Sequence, residues 1–331
     1  NDFIQQYFPY RVFAAVALRN GEFPFWNPYV FCGMPFFADL QTAVLYPLNL
    51  LLSVFSSGDW LNPVVVEYQV VLHVFMAGAF MYLLARDMGC GRHGALLAGV
   101  TYMFCGFTTT HIFHLTMIHA LAWFPLVIAA VNRMLTRGSL VYAALTALLL
   151  CIIALAGHPQ LLVHIYYWLG AFLLYHCVVR LRRGEKAAAL VRPAALFAAA
   201  VALGVGLSSI QLLPTAQLGE LSERPEMEYT RSCEGSFRPH RFVTLLMPNY
   251  YGTANNIRSR SGPSYWGLTD RDVDAGTHYY WETAMYVGTA PLLLAVLAAA
   301  LVRTPLTLFL SVMAGVSLLL AMGDSFFLYW I

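Results

Sequence analysis

Charged side chains are scarce in this sequence. Lys and Arg number 19 and Asp and Glu 17 among 331 residues, which makes 11% of the chain charged. Soluble domains carry about 25% charged residues, whereas 59% of this chain is hydrophobic and its mean hydropathy is +0.63. The scarcity excludes an ordinary soluble domain and indicates a membrane protein. The net charge of +2 says nothing about nucleic acid, because the charges are spread thinly; we expect no nucleic acid among the partners.

The sequence also lacks an initiating methionine and a signal peptide. It contains no Ser-His-Asp pattern of a hydrolase and no nucleotide-binding Walker pattern. It begins at Asn1 and ends on the apolar run SFFLYWI. We therefore expect an internal fragment of a longer protein that crosses the membrane several times.

Long apolar runs are abundant instead. A helix needs about 20 mostly apolar residues to cross a bilayer. The runs predict an all-α, polytopic transmembrane helix bundle with about eight spans. The predicted spans are Val64–Ala85, Ala95–Ile112, Met117–Leu135, Leu140–Ala156, Leu161–Val179, Pro193–Leu213, Ala284–Val302 and Pro305–Met322.

Basic residues fall in alternate connections between these runs. The short connections 111–116 and 157–160 contain neither Lys nor Arg. The positive-inside rule then places the basic connections in the cytoplasm and the others on the outer face. The basic residues are Arg86, Arg92, Arg133, Arg137, Arg180, Arg182, Arg183, Lys186, Arg192 and Arg303.

This alternation predicts four segments. Residues 1–63 form an outer-face first loop with interfacial helices, and residues 64–213 form a transmembrane bundle. Residues 214–283 form a second outer-face loop, and residues 284–331 form a transmembrane hairpin. We expect the protein in the bacterial inner (cytoplasmic) membrane, in contact with membrane lipid, with its site on the outer, periplasmic face.

The first loop contains an unusual stretch, GEFPFWNPYVFCGMPFFADLQTAVLYPLN, from Gly21 to Asn49. Its aromatic residues favour the lipid–water interface, and its Pro and Gly residues favour an irregular path. Irregular backbone at this depth must be covered by protein or line a watery cavity. We therefore expect Asp39 and Gln41 to face a cavity at the outer end of the bundle.

Three histidines, His111, His114 and His119, surround one outer turn. His111 and His114 are spaced i, i+3 and would share a helix face. With a nearby acid they would suit a divalent metal such as Mg or Mn, which makes them candidate metal ligands. The alternative is that these are interfacial histidines, hydrogen-bonded between helices.

The other outer turn is GHPQ at Gly157–Gln160. Pro159 lacks a backbone N–H, and Gly157 relaxes the end of a span. His158 and Gln160 would then be presented at the membrane surface as binding groups. The alternative is a helix cap and turn without further function.

The loop 214–283 is the largest aqueous segment. The planar fork of arginine suits phosphate, so an arginine cluster beside the outer leaflet would hold a lipid-linked phosphate. The alternative is a solvated loop of mixed charge. The arginines are Arg224, Arg231, Arg238, Arg241, Arg258, Arg260 and Arg271.

Several segments, taken in order, carry a resemblance to a known family. The chain resembles the YfhO-like bacterial membrane proteins, which are similar to the GT-C class of polytopic glycosyltransferases. The segments are Asp2–Pro9 (DFIQQYFP), Gly21–Pro28 (GEFPFWNP), Cys32–Gln41 (CGMPFFADLQ), Tyr46–Asn49 (YPLN), Ala156–Gln160 (AGHPQ), Ile210–Thr215 (IQLLPT), Ser222–Arg224 (SER), Met247–Gly252 (MPNYYG) and Tyr279–Gly288 (YYWETAMYVG).

This resemblance implies transfer of a sugar from a polyprenyl-phosphate donor on the outer face to a glycan or envelope-polymer acceptor. In GT-C enzymes an acid early in the first outer loop acts on the acceptor, and Asp2 has that position here. Asp39 is the second catalytic candidate, for metal or acceptor binding. The sequence departs from the family's pattern in two respects, because the span that would precede Asp2 is missing and the chain stops before the family's later helices.

The resemblance also implies further binding residues. Arg224 falls in the matching Ser-x-Arg segment and is the first candidate for the phosphate. The candidates for substrate binding are Gln5, Gln41, His158, Gln160, Arg224 and Glu282. Two other functions remain open, a transporter or flippase of lipid-linked glycans and a glycolipid-binding protein without catalysis.

Overall fold

The computed structural model describes residues 2–222, 236–252, 281 and 284–323. The described part is 75% helical. A π-helical segment, Phe3–Tyr7, precedes the first α-helix, and 3₁₀ turns lie at Phe36–Ala38, Leu40–Thr42 and Pro239–Leu245. The α-helices are α1 (Phe8–Arg19), α2 (Pro47–Leu50), α3 (Leu52–Phe55), α4 (Pro63–Asp87), α5 (Arg92–Phe104), α6 (Gly106–Thr110), α7 (Leu115–Arg137), α8 (Leu140–Leu155), α9 (Pro159–Arg182), α10 (Ala188–Glu220), α11 (Thr289–Leu301) and α12 (Pro305–Ala321).

Two short strands, β1 (Ser56–Ser57) and β2 (Trp60–Leu61), form an antiparallel hairpin before α4. In its register Ser56 faces Leu61 and Ser57 faces Trp60. Asn62 then caps α4, because its side chain accepts a hydrogen bond from the N–H of Val64. The chain therefore passes from the first loop into its first long apolar helix through a turn and a conventional N-cap.

Four helices in the described part, α4, α7, α9 and α10, are long and apolar enough to cross a membrane. They coincide with four of the predicted spans, and the all-α membrane class is confirmed. The prediction of eight spans is not confirmed. Helices α8, α11 and α12 are apolar but have 16, 13 and 17 residues, which is less than the roughly 20 residues a span requires.

The predicted span Ala95–Ile112 is wrong as a continuous helix. It is divided at Cys105 into α5 and α6. The N–H of Gly106 donates to the carbonyl of Tyr286 at 2.6 Å instead of continuing the helix. A Cβ at Gly106 would lie 2.9 Å from the carbonyl oxygen of Ala284, so this approach requires glycine. The predicted span Ala284–Val302 also begins later than expected, at Thr289, because residues 284–288 are not helical.

The described chain forms two compact units. The first contains residues 2–103 and 111–222, and α7 is its central helix. Helices α4 and α8 pack on α7, and α10 packs along α8. In α7, 72% of the most apolar stretch is buried, compared with 22% in α9 and in α10. The outer surfaces of α4, α9 and α10 remain apolar and exposed, as expected for helices that face lipid.

One end of this unit collects charged groups from several helices. Arg133 of α7 donates to the carboxylate of Asp87 at 2.6 Å, and Asn132 donates to its second oxygen at 2.8 Å. Arg192 reaches the carbonyl of Gly138 at 3.0 Å. On the connection from α9 to α10, the Arg180 guanidinium holds the pKa of the Glu185 carboxyl below its ordinary value. These are the connections that the sequence predicts to be cytoplasmic.

The second unit contains residues 104–110 and the described residues between 236 and 323. Its α11 and α12 are in contact. Thr304 caps α12 by accepting from the N–H of Thr307 at 3.1 Å. The N–H of Phe237 donates to the carbonyl of Ala321 at 2.7 Å, which fastens the 3₁₀ segment of this unit to α12.

Candidate functional site

The opposite end of the first unit gathers the polar residues of the first loop. Asp2 immediately precedes the π-helical segment, and its side chain makes no capping hydrogen bond. One carboxylate oxygen instead lies 3.2 Å from Nε2 of His114, at the start of α7. The Asp2 side chain is 53% exposed and that of His114 is 15% exposed. This pair therefore combines an accessible carboxylate with a largely buried imidazole.

Tyr7 lies one and a half turns after Asp2 and is buried. Its hydroxyl is 3.3 Å from the hydroxyl of Thr116, two residues after His114. Burial raises the pKa of the Tyr7 hydroxyl above its ordinary value, and the carboxylates of Asp2 and Asp39 raise that pKa further. Tyr7 therefore stays neutral, and both acids lie near enough to it to act on it electrostatically.

Asp39 and Gln41 are joined to the same end by short-range contacts. The Asp39 carboxylate accepts from the backbone N–H of Gln41 at 2.9 Å and caps the 3₁₀ turn Leu40–Thr42. The side-chain amide of Gln6 donates to that of Gln41 at 2.5 Å. The Asp39 turn and the beginning of the chain are therefore held together across 35 residues. We call Asp2, Tyr7, Asp39, Gln41 and His114 the Asp2 cluster.

Arg11 lies beneath this cluster and is almost completely buried, with 1% exposed. One of its terminal nitrogens donates to the carbonyl of Thr42. Within the described part of the chain, Nε and the other terminal nitrogen have no hydrogen-bond partner. Burial lowers the pKa of Arg11 to about 10, while Tyr7, Asp39 and Tyr46 favour its charged form. Arg11 was not predicted from the sequence, although it is the one charge within the apolar run FPYRVF.

A second polar group, the Tyr46 cluster, contains Tyr46, His73, His119 and Trp123. The Tyr46 hydroxyl is 2.6 Å from Nε2 of His73 and accepts from the indole N–H of Trp123 at 2.8 Å. The ring of His119 stacks on Tyr46 at 4.7 Å and on His73 at 4.1 Å. Burial raises the pKa of Tyr46. The cluster connects the first loop to α4 and α7 inside the bundle.

The GHPQ turn packs against the first loop. Gly157 has φ +93°, and a Cβ there would collide with the carbonyl oxygen of Leu40. His158 caps α9, because its Nδ1 accepts from the N–H of Leu161 at 3.2 Å. His158 is therefore the N-cap of α9, its imidazole is half-buried, and its role in binding stays a prediction. Gln160 is exposed.

The end of α10 holds the backbone just before Asp39. The Gln211 side chain donates to the carbonyl of Phe37 at 2.6 Å, and the Thr215 hydroxyl donates to the carbonyl of Ala38 at 2.8 Å. Both residues belong to the IQLLPT segment, and the sequence analysis did not single them out individually. Through these two hydrogen bonds the IQLLPT segment holds the turn that carries Asp39.

The structure therefore brings together Asp2, Asp39, Gln41 and His114, with Gln5 exposed on the segment beside them. The rings of His111 and His114 are 5.3 Å apart. Among the residues that the structure describes, no group of three or more His, Cys, Asp and Glu side chains is arranged to hold a metal ion. The metal site at the two histidines stays a prediction. Arg224 and Glu282 lie outside the described residues.

The fold and this site define a polytopic α-helical membrane protein with a buried polar core at one end of its bundle. A family model, the bacterial membrane protein YfhO, matches residues 1–266. The chain belongs to this family. The match covers the Asp2 cluster, the Tyr46 cluster, the GHPQ turn and Arg224. The comparison with curated proteins gave no match, and neither did the comparison with solved structures.

Proposed function

We propose that the protein is a membrane glycosyltransferase that moves a sugar from a polyprenyl-phosphate donor to a glycan or envelope-polymer acceptor on the outer face of the inner membrane. The observation that carries the proposal is the Asp2–His114 pair, in which an accessible carboxylate meets a largely buried histidine at 3.2 Å. General bases are typically acids or histidines held by a second group in this way.

Asp2 acts as the general base in this proposal. The acceptor hydroxyl oxygen forms a bond to the anomeric carbon of the sugar while the bond from that carbon to the phosphate oxygen breaks. The hydroxyl proton passes to the Asp2 carboxylate, and the electron pair leaves with the polyprenyl phosphate. His114 orients the carboxylate and is a positioning residue, since it contacts Asp2 and not the reacting atoms.

The rest of the Asp2 cluster provides a fixed frame for this reaction. Asp39, the second acid, contacts the acceptor or a divalent cation such as Mg or Mn, and Gln5 and Gln41 supply neutral hydrogen-bonding groups. The cationic Arg11 acts electrostatically on Asp39 and Tyr7 and so favours the ionised form of the second acid. His111 and His114 are the proposed ligands of a divalent ion, although the described residues contain no group of three ligands arranged to hold one.

The donor phosphate requires a cation at the mouth of the site. Arg224 is proposed for this role, because it follows α10, whose last turns hold the Asp39 loop. An arginine binds phosphate through two parallel hydrogen bonds, which a lysine cannot reproduce. His158, Gln160 and Glu282 are proposed to contact the sugar. In this proposal the shorter helices α8, α11 and α12 also cross the membrane, which together with α4, α7, α9 and α10 makes seven spans.

The proposal is tested with the full-length protein reconstituted into liposomes. A panel of polyprenyl-phosphate sugars is supplied together with cell-envelope acceptors, with Mg²⁺ or with EDTA, and transfer of radiolabelled sugar is measured. We expect transfer from at least one donor. Asp2→Asn should reduce it by about 10²–10⁴-fold, the usual contribution of a general base.

The matched control is Asp59→Asn, which neutralises an exposed acid in the β1–β2 turn of the same loop. It should transfer sugar at the wild-type rate. Movement of the lipid-linked sugar across the bilayer without transfer would support a flippase and contradict the proposal. Saturable binding of the donor with neither transfer nor movement would support a glycolipid-binding protein instead.

A further inference from the structure

The second unit contains a cavity of about 180 Å³ that the proposed reaction does not use. Its walls come from three separate parts of the chain, namely α5–α6, the MPNYYG segment and the residues just before α11. Two of these parts are segments that the sequence analysis had selected. The polar groups on the walls are contributed by Thr109, Thr110, Thr244, Asn249, Tyr251 and Tyr286.

The cavity is built by the break between α5 and α6. The hydrogen bond from Gly106 to the Tyr286 carbonyl brings residues 284–286 against α6. The Thr110 hydroxyl lies 3.5 Å from the carbonyl of Trp281. On the opposite wall, the Tyr251 hydroxyl donates to the carbonyl of His240 at 3.0 Å. The break in a helix that could have been continuous is thus the feature that opens this space.

The chemistry of the walls is uniform. Every described lining side chain is uncharged, and the polar ones carry hydroxyl or amide groups. Most of the wall hydroxyls already donate to backbone carbonyls, so toward a ligand they act as acceptors, while the Asn249 amide can both donate and accept. Tyr251 and Tyr286 add ring faces that are apolar beside a polar hydroxyl. An anion placed here would lose its hydration without meeting a cation on these walls, and that loss is costly.

We propose that this cavity binds one neutral sugar ring, which presents several hydroxyls and apolar C–H faces. The size agrees with this ligand. Pockets for drug-sized molecules have about 300–1,000 Å³, and this cavity is smaller, as expected for a ligand of a single ring. The proposal rests on the proposed function only for its biological context, since the binding itself needs no transfer. The Asn249 side chain is exposed and lies at the rim, so it provides a handle for testing.

The test measures equilibrium binding of radiolabelled glucose, galactose and N-acetylglucosamine to the full-length protein in detergent micelles. We expect saturable binding of at least one sugar. Asn249→Ala and Tyr286→Phe should each weaken it by about 2- to 12-fold, the usual effect of one lost hydrogen bond. Asn20→Ala removes an exposed amide at the end of α1 and should bind as the wild type does.

Two further arms separate this site from the Asp2 cluster. Asp2→Asn should bind the sugar normally even if it transfers none, so failure of the proposed function leaves this site intact. Glucose 6-phosphate should bind more weakly than glucose. The proposal is overturned if none of the three sugars saturates the wild type, if the two cavity variants bind like the wild type at an unchanged thermal midpoint, or if the phosphorylated sugar binds more tightly.

Discussion

Asp2 and His114 are separated by more than a hundred residues, yet a carboxylate oxygen of the first lies 3.2 Å from Nε2 of the second. The contact joins the beginning of the first loop to the beginning of the most buried helix, α7. Because α7 is held on two sides by α4 and α8, the histidine has a fixed position. A carboxylate held by a rigid partner is suited to receive a proton repeatedly in the same geometry.

The first prediction is that Asp2 and His114 act as a unit. His114→Gln should reduce transfer by less than Asp2→Asn, because it removes the group that orients the base and not the base. The double variant should be no slower than Asp2→Asn alone, since residues that act together have non-additive effects. The measurement is kcat for sugar transfer by the wild type and the three variants.

The control for this set of single and double variants is His93→Gln, which changes an exposed histidine at the start of α5. It should leave transfer unchanged. Multiplicative loss in the double variant would contradict the coupling and leave Asp2 as an independent residue.

The second prediction concerns Arg11. Arg11→Ala should lower the free energy of unfolding by about 2–5 kcal/mol, the range for truncating a large buried side chain. The loss comes from the cavity and from the Thr42 carbonyl, which loses the donor seen here. The measurement is chemical unfolding in detergent, followed by tryptophan fluorescence.

Arg19→Ala is the matched control, because Arg19 is on the same helix and is exposed. It should change stability by less than about 0.5 kcal/mol. Equal stability of the two variants would show that Arg11 is not a structural element of the core.

The positions of the long helices could be predicted from the sequence. Apolar runs of about 20 residues have few alternatives in a membrane, so α4, α7, α9 and α10 agree with the predicted spans. The break at Cys105 could not be predicted, because it depends on the Gly106–Tyr286 hydrogen bond between residues that are far apart in the sequence. Local hydropathy contains no information on such a contact.

Among the polar residues too, some could be predicted from the sequence and others could not. Asp39 and Gln41 were selected because a polar pair within an aromatic stretch is unusual. In the structure Gln41 bonds to Gln6, and the carboxylates of Asp39 and Asp2 both act on Tyr7. Arg11 was overlooked because basic residues were used to orient the spans and, in the loop 214–283, as candidate phosphate ligands, and Arg11 belongs to neither set. The stacking of His73 on His119 joins α4 to α7, and only the packing of those helices reveals it. An isolated charge within an aromatic run is the signal that would have found Arg11.

The third prediction concerns Gly157. Gly157→Ala should lower the free energy of unfolding. The strained backbone alone costs about 1–3 kcal/mol, and the loss should exceed this cost because the new Cβ also collides with the carbonyl oxygen of Leu40. The same change should loosen the first loop and reduce transfer. Thermal midpoint and transfer rate are the two measurements.

Gly21→Ala is the control that measures the cost of backbone strain without a steric contact. Gly21 also has a positive φ, +78°, but nothing lies within 4 Å of its added Cβ. This variant should be destabilised by strain alone and should therefore be the more stable of the two. If Gly21→Ala were as unstable as Gly157→Ala, the contact with Leu40 would contribute nothing.

The fourth prediction concerns the orientation of the chain, and the native cysteines can test it. Cys32 and Cys90 are both exposed, and the arginine pattern places the first on the outer face and the second in the cytoplasm. A membrane-impermeant thiol reagent added to intact cells should therefore modify Cys32 and leave Cys90 unmodified. Mass spectrometry of the digested protein identifies the modified site, so no cysteine has to be replaced.

Permeabilised cells provide the control, because both cysteines should then react. A second pair, Gln160→Cys and Lys186→Cys, tests the two ends of α9 in the same way, since both side chains are exposed. The first should be modified from outside and the second only after permeabilisation. Modification of Cys90 and Lys186→Cys in intact cells, with protection of Cys32 and Gln160→Cys, would reverse the orientation. Asp2 would then face the cytoplasm, where an outer-face acceptor cannot reach it, and the proposed reaction would have to be abandoned.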